Sequence, residues 1–189
     1  MVMHWPDRLL TMADWEALPE DNSRSYELME GVLIVSPRPV LRHQFAIWQL
    51  AAQIQPQLPG DLAVVTEAEI AIDADNPPTV RVPDVMVLNR STVADNLPRA
   101  RPEDVTLAVE ILSPGSRRTD RVTKFAEYAE VGIAHYWLVD LDAPPTLTAY
   151  RLVGDYYELV ADNRSEVRLD LSGTPVAIDL HALNGSRAE

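Results

Sequence analysis

Two acidic residues stand inside otherwise apolar segments of this chain, where a charged group needs a chemical reason. Asp84 lies at the start of Pro83–Leu88, and Glu110 lies near the end of Val105–Leu112. Because an isolated carboxylate is expensive to bury, each must find a cation, hydrogen-bond donors or water. Neighbouring β-strands lie about 4.8 Å apart, so two such carboxylates at one rim of a sheet could share a divalent ion.

Lys124 is the only lysine in the chain, against fifteen arginines. Lysine is a compact cation whose amine can act beside a reacting centre, whereas arginine carries a permanent charge on a broad planar group. A role in an active site is one explanation for this residue. The alternatives are a compositional bias towards arginine that left one lysine, and an exposed i, i+4 ion pair in which Asp120 is only a helix-face partner, worth about 0.3 to 0.5 kcal/mol.

These three residues together suggest metal-assisted hydrolysis. The chain has no cysteine, so a metal would be held by carboxylates, carbonyls, water or the four histidines, which favours a hard ion such as Mg²⁺ or Mn²⁺. In such a site the acids hold the ion, and the ion polarises a phosphate and lowers the pKa of a bound water. The lysine then orients that water or offsets charge in the transition state. Asp84, Glu110 and Lys124 are therefore candidate catalytic residues for phosphodiester hydrolysis, with Asp84 and Glu110 as the metal ligands.

Charge is distributed unevenly along the 189 residues. The net charge is −13, yet residues 79–128 hold eight basic and seven acidic residues, which leaves −14 for the rest of the chain. This balance excludes a protein that coats nucleic acid by bulk electrostatics, but it allows local phosphate binding. Arg117, Arg118 and Arg121, close to Lys124, are the candidate nucleic-acid contacts, and the alternative is that they are ordinary surface arginines.

Three interior strands and one helix are expected to position the candidate residues. The continuous apolar character of segments 83–88, 105–112 and 135–140 is typical of buried strands. A helix from about Arg117 to Val131 follows the second strand and is closed by Gly132. On this helix Asp120, Lys124 and Tyr128 share one face, while a second face that packs on the sheet consists of Val122, Phe125 and Ala129.

The flanking segments predict further elements. Thr11 and Asp14 form a capping box for a short helix, and residues 26–35 read as a hairpin with a turn at Glu30-Gly31. A helix from about Leu41 to Gln55 is expected to bury one stripe of side chains. That stripe consists of Leu41, Phe45, Trp48 and Ala52. Residues 146–180 predict a hairpin and edge strands.

We expect one α/β domain over residues 1–189, with its core at about 18–151 and a frayed tail at 185–189. No apolar run approaches the roughly 20 residues that a membrane span needs, and the first residues do not resemble a signal peptide. The expected location is therefore the cytoplasm, with no membrane partner.

Several short motifs occur in one order along the chain. They are Tyr26–Gly31, Ser36-Pro37, His43, Pro83-Asp84, Glu110–Pro114, Asp120–Lys124, Tyr128, Gly132 and Tyr136–Asp140. In these residues, over roughly Leu18 to Arg151, the chain resembles the Uma-two family of restriction-endonuclease-like proteins, within the PD-(D/E)XK nuclease superfamily. The resemblance implies a restriction-endonuclease-like core, in which helices flank a mixed central β-sheet.

The resemblance also implies roles for individual residues. In the superfamily pattern the lysine follows two positions after the second acid, where this chain has Leu112. Lys124 on the following helix would then supply the amine. Glu27 and His43 would support the metal site, and Tyr128 either hydrogen-bonds within the site or is half-buried packing.

Two functions from different classes remain open at this stage. The first is a Mg²⁺- or Mn²⁺-dependent endonuclease, with DNA as the expected substrate ahead of RNA. The second is a catalytically weak or inert nucleic-acid-binding or interaction module that kept the fold and the carboxylate pocket. Its support is the acidic surface, which mostly repels the polyanion that a nuclease must hold. Hydrolysis of a small phosphorylated substrate is a third possibility. A homodimer that joins two arginine-bearing faces into one cleft would offset the repulsion between the acidic surface and a nucleic-acid substrate.

Overall fold

The computed structural model describes residues 7–19, 21, 23–75, 77–163 and 166–185. Most of the expected tail, residues 186–189, lies outside the described residues, as does Asn76 in the loop before the first interior strand. Within the described residues, no helix combines the length and the apolar character needed to cross a membrane.

A six-stranded mixed sheet forms the centre of the fold. Its strand order is β10-β9-β8-β7-β6-β3. The strands are β3 (Leu62–Thr66), β6 (Val85–Asn89), β7 (Val105–Ile111), β8 (His135–Asp140), β9 (Thr146–Val153) and β10 (Tyr156–Asn163). Strands β7 and β8 are parallel, whereas the other neighbours are antiparallel. The three apolar segments are β6, β7 and β8, which lie side by side and are almost fully buried, as their composition predicts.

Two smaller sheets pack around this centre. One has the order β2-β1-β5-β4, and the other pairs β11 with β12. Their strands are β1 (Arg24–Met29), β2 (Val32–Pro37), β4 (Ile70–Asp73), β5 (Thr79–Arg81), β11 (Glu166–Leu171) and β12 (Thr174–Asp179). The expected hairpin is β1–β2, and its turn residues Glu30 and Gly31 have φ of 48° and 75°. Two successive positive φ values suit the right-handed twist of a tight hairpin.

Helix α1 (Met12–Glu16) packs Trp15 in a cluster with Leu28 of β1 and Val80 of β5. Helices α2 (Leu41–Ile54), α3 (Arg90–Ala94) and α4 (Phe125–Glu130) flank the central sheet. The predicted capping box is present, because Thr11 and Asp14 exchange hydrogen bonds at the start of α1. The helix expected from about Arg117 is also present, but residues Thr119–Lys124 form a π-helical segment that leads into α4.

Two predictions about buried helix faces are wrong. The α2 side chains that pack into the core are Ala46, Ile47, Leu50 and Ile54. The expected stripe faces outwards: Leu41 is 89% exposed, Trp48 61% and Phe45 37%, and Ala52 is also exposed. Both faces of α2 are apolar, so periodicity could not show which one meets the sheet.

The second wrong prediction concerns Val122, which was expected on the sheet but is 60% exposed. The wider π-helical turn rotates it away, while Phe125 and Ala129 do pack inwards.

Candidate active site

The central sheet brings Asp84 and Glu110 to the same end of two neighbouring strands. Asp84 directly precedes β6, and Val85 pairs with Val109, the residue before Glu110. Both acids line one cavity of about 500 Å³. The prediction that these strands are neighbours and present the two carboxylates at one rim is therefore confirmed.

Asp84 is held by hydrogen bonds at both carboxylate oxygens. Its Oδ1 lies 3.0 Å from Nε2 of His43, and its Oδ2 accepts a hydrogen bond from the backbone N–H of Ile111 at 2.6 Å. Burial lowers the pKa of His43, but the hydrogen bond and the negative charge of Asp84 outweigh burial, so the pKa is raised. His43 thereby fixes the orientation of Asp84 from helix α2.

Lys124 lies among carboxylates rather than in solvent. It is 5% exposed, and its Nζ lies 2.8 Å from Oε1 of Glu27 and 2.9 Å from Oε1 of Glu110. Burial lowers the pKa of Lys124, but these carboxylates more than reverse the effect and raise the pKa above its ordinary value. The ammonium group is therefore retained at neutral pH, and the alternative of an exposed surface pair does not hold.

Glu110 is 3% exposed and shares its Oε1 between two donors. Besides the ammonium of Lys124, the hydroxyl of Tyr128 donates to this oxygen at 3.0 Å. Burial raises the pKa of Glu110, and Lys124 acts in the opposite direction. Tyr128 is completely buried and does not form part of the cavity wall, so it supports the site only through Glu110.

Arg81 belongs to this charge network and was missed by the sequence analysis. It is 1% exposed and donates to Oε2 of Glu27 at 3.1 Å and to both carboxylate oxygens of Glu127 at 2.7 Å. Arg81 thus orients Glu27, which in turn contacts Lys124. The available signal was an arginine between Val80 and Val82 in a short apolar segment, where a free guanidinium would be unfavourable.

Asp120 differs from its expected role as a partner in an exposed ion pair. Its side chain is 1% exposed and lines the cavity. The distance from its Oδ1 to Nζ of Lys124 is 3.9 Å. Burial raises the pKa of Asp120, and the charge of Lys124 and the nearby hydroxyl of Ser116 oppose this shift only in part. The i, i+4 spacing to Lys124 showed that the two share a helix face, but the burial of that face depends on how the helix lies over the sheet.

The three arginines predicted to contact nucleic acid have different surroundings. Arg117 forms ion pairs with Asp140 at 2.7 Å and Asp142 at 2.6 Å, whereas Arg118 and Arg121 are exposed. None of the three lines the cavity, whose wall instead includes Arg38. A role of these arginines in nucleic-acid binding stays a prediction.

The cavity wall is rich in oxygen ligands. Its acidic residues are Glu27, Glu67, Asp84, Glu110 and Asp120. Within the ranges that the structure describes, no three acidic or histidine side chains already converge as a ready-made metal site. The arrangement therefore brings together oxygen donors that suit a hard cation, but it does not hold them in a complete coordination shell.

Comparison with known proteins gives a consistent assignment of the fold. Residues 12–182 match the model of the Uma2 family, which is described as "Putative restriction endonuclease". A solved structure with a similar fold is that of a putative nuclease belonging to DUF820 from Anabaena variabilis ATCC 29413. It is 20% identical, with 93% of this chain and 98% of that chain covered and a TM-score of 0.69. A search of curated proteins found no match.

Proposed function

This chain belongs to the Uma2 (Uma-two) family, and we propose that it is a nuclease that hydrolyses phosphodiester bonds in nucleic acid with the help of Mg²⁺ or Mn²⁺. DNA is the proposed substrate ahead of RNA. The observation that supports this function best is the convergence of Asp84, Glu110 and Lys124 at one cavity. Asp84 directly precedes β6, Glu110 lies in β7 and Lys124 ends the π-helical segment, so no local sequence constraint requires them to meet.

The donor set fits a hard divalent cation. Asp84 and Glu110 would hold it, because both present carboxylate oxygens to the cavity and hard cations prefer oxygen ligands. When bound, such a cation would supply positive charge that polarises a phosphate oxygen and favours the ionisation of a water molecule. His43 and the N–H of Ile111 keep Asp84 in place for this role.

Lys124 has the properties of an electrostatic group rather than of a base. The pKa of Lys124 is raised by Glu110 and Glu27 in spite of burial, so the amine stays protonated at neutral pH and cannot accept a proton. A protonated amine at the cavity wall can donate a hydrogen bond to a water or to the phosphate and can offset the negative charge that develops in the transition state. Glu27, held by Arg81, keeps this amine in position.

Nucleic acid is a polyanion, so the proposed function requires a local surface that offsets the net charge of −13. A homodimer would place two arginine-bearing faces next to one cleft and so raise the local positive potential. The outer strand of the central sheet, β10, carries the exposed apolar side chains Tyr156, Leu159 and Val160 that support a contact at this edge. Light scattering of the wild type and of Leu159→Arg tests this: we expect a dimer that becomes a monomer, and a monomeric wild type would contradict it.

The function is tested by cleavage of labelled DNA and RNA in the presence of Mg²⁺ or Mn²⁺. We expect wild-type protein to cleave DNA and to lose this activity on addition of a chelator. The variants Asp84→Ala and Glu110→Gln should lose activity by at least about a hundredfold. Asp155→Asn is the matched control, because it neutralises an exposed carboxylate in the β9–β10 turn.

The outcome separates an enzyme from a binding module. Cleavage that persists in both Asp84→Ala and Glu110→Gln would assign the activity to another site or to a contaminant. If Mn²⁺ and DNA bind but no strand is cut under any condition, the chain is an inert binding module that retains the pocket. Preferential cleavage of RNA would reverse the proposed order of substrates.

A further inference from the structure

Asp120 is a buried carboxylate whose hydrogen-bonding capacity is unused. The residue is 1% exposed, and no donor among the described residues reaches Oδ1 or Oδ2 with the geometry of a hydrogen bond; the hydroxyl of Ser116 lies near enough only to oppose part of the rise in the pKa of Asp120. A carboxylate out of water without hydrogen bonds is strongly unfavourable, and such groups are rare in folded proteins. This residue therefore requires an explanation that packing alone does not provide.

The neighbouring lysine does not satisfy Asp120. Lys124 places its Nζ within 2.8 Å of Glu27 and 2.9 Å of Glu110, but 3.9 Å from Asp120. The ammonium group thus forms its short contacts with the other two carboxylates. Asp120 gains only a longer-range attraction, which does not replace hydrogen bonds to its oxygens.

The other carboxylates of the site are committed to protein donors. Asp84 and Glu27 accept hydrogen bonds or ion pairs at both oxygens, and Glu110 and Glu67 do so at Oε1. Asp120 lines the same cavity as these four acids. It is therefore the acidic side chain of the wall with both oxygens available to a ligand that enters the cavity.

The backbone at Asp120 is also unusual. The residue lies in the π-helical segment Thr119–Lys124. Such segments are rare and occur frequently at functional sites, where the added width re-aims a side chain. Here the same segment leaves Val122 exposed and turns both Asp120 and Lys124 inwards.

We propose that Asp120 is a third carboxylate ligand of the divalent cation, in addition to Asp84 and Glu110. This rests on the proposed function. The described residues hold no ready-made cluster of three acidic or histidine ligands, and what sets Asp120 apart is that both of its oxygens are uncommitted. A cation bound there supplies the partner that Asp120 lacks and relieves the repulsion among the neighbouring acids.

Mn²⁺ binding measured by calorimetry tests this role without depending on catalysis. We expect Asp120→Asn to bind Mn²⁺ at least tenfold more weakly than the wild type, and Asp120→Glu to recover part of the affinity because it keeps a carboxylate. Glu130→Gln is the matched control, since it neutralises an exposed acid on the adjoining helix α4. It should bind Mn²⁺ as the wild type does.

Unfolding by urea in the absence of metal distinguishes a ligand from a structural residue. A cation ligand without a protein partner should be dispensable for folding, so Asp120→Asn should be at least as resistant to urea as the wild type. A residue that stabilises the fold through Lys124 should instead give a less stable variant with unchanged Mn²⁺ affinity, which would overturn the proposal. If Asp120→Asn does not fold, the proposal is contradicted unless Asp120→Ala folds and shows the same loss of Mn²⁺ binding.

The failure of this proposal is distinguishable from the failure of the proposed function. If Asp120→Asn binds Mn²⁺ normally while Asp84→Ala does not, the metal-dependent nuclease remains and only the third ligand is rejected. If the wild type binds neither Mn²⁺ nor Mg²⁺ at millimolar concentration, both proposals are wrong.

Discussion

The ammonium nitrogen of Lys124 lies 2.9 Å from Oε1 of Glu110, and both side chains are almost completely buried. This contact joins the π-helical segment to strand β7 across fourteen residues of chain. It also places the only lysine of the chain beside Glu110, the buried acid of β7. Because a buried charge is costly without a partner, each of the two residues depends on the other.

Removal of the lysine charge should destabilise the protein strongly. In Lys124→Met, Glu110 and Glu27 lose their shared cation in a buried site, and we expect the free energy of unfolding to fall by about 3 to 5 kcal/mol. Urea denaturation monitored by circular dichroism measures the change. The double variant Lys124→Met/Glu110→Gln should recover part of the loss, because it removes the uncompensated charge as well. Additive effects of the two substitutions would show that the residues do not interact.

Substitution of lysine by arginine should slow cleavage strongly although the positive charge remains. The contacts at 2.8 Å and 2.9 Å enclose a compact ammonium group, and a planar guanidinium cannot occupy the same position. We expect Lys124→Arg to lower the rate of DNA cleavage by about a hundredfold, as small displacements in active sites do. Unchanged turnover would remove Lys124 from the catalytic groups and leave it with a role in stability.

The buried guanidinium of Arg81 should be essential for stability. Arg81→Met leaves Glu127 without its cation and Glu27 with only Lys124, and we expect a loss of about 3 to 5 kcal/mol in the free energy of unfolding. Arg81→Lys should restore little, because lysine cannot reproduce the paired hydrogen bonds to Glu127. The control is Arg8→Met, which removes an exposed ion pair with Asp14 and should change stability little. Equal effects of Arg81→Met and Arg8→Met in urea would contradict the importance of burial.

The free energy of unfolding should fall in mild acid because the buried His135 resists protonation. This histidine is 4% exposed, and burial together with the charge of Arg151 lowers its pKa below the ordinary value of 6.5, although Asp170 opposes the shift. The unfolded chain therefore takes up a proton more readily than the folded protein. The contribution to stability is fully present above about pH 6.5 and is lost as the pH falls through the lower pKa of the folded state.

The contribution of His135 can be isolated by substitution. Between pH 8 and pH 5, the urea midpoint of the wild type should fall further than that of His135→Gln. His181→Gln, at an exposed histidine, should behave as the wild type does. Parallel curves for the wild type and His135→Gln would exclude His135 as a source of the acid sensitivity.

The two apolar faces of helix α2 should respond differently to substitution. Trp48 is exposed and Leu50 is completely buried. We expect Trp48→Gln to change the free energy of unfolding by less than about 0.5 kcal/mol. Leu50→Ala should cost about 2 to 5 kcal/mol, because it removes packed atoms and leaves a cavity. A large loss in Trp48→Gln would indicate that this face is covered in solution, and analytical ultracentrifugation would then identify a self-association that buries it.

The amino-acid sequence alone was sufficient to locate the interior strands β6, β7 and β8 and the acids Asp84 and Glu110. Continuous apolar runs indicate interior strands whatever their neighbours are, and a carboxylate inside such a run is conspicuous for the same reason. Asp84 and Glu110 are therefore recognisable as site candidates from residue types and order alone. The hairpin turn at Glu30-Gly31 was equally predictable, because its backbone requirement is local.

Tertiary structure decided which side chains are buried and which charges meet. Helix α2 has apolar residues on two faces, and only its docking on the sheet distinguishes Leu50 from Trp48. Arg81 enters the site because a three-residue strand pairs with the hairpin far away in sequence. Asp120 and Lys124 share a helix face by their spacing, but the cavity that removes Asp120 from water forms only when the helix lies over the strand ends. Local periodicity specifies the direction of a side chain along its own element, whereas its burial and its pKa depend on what other elements bring against it.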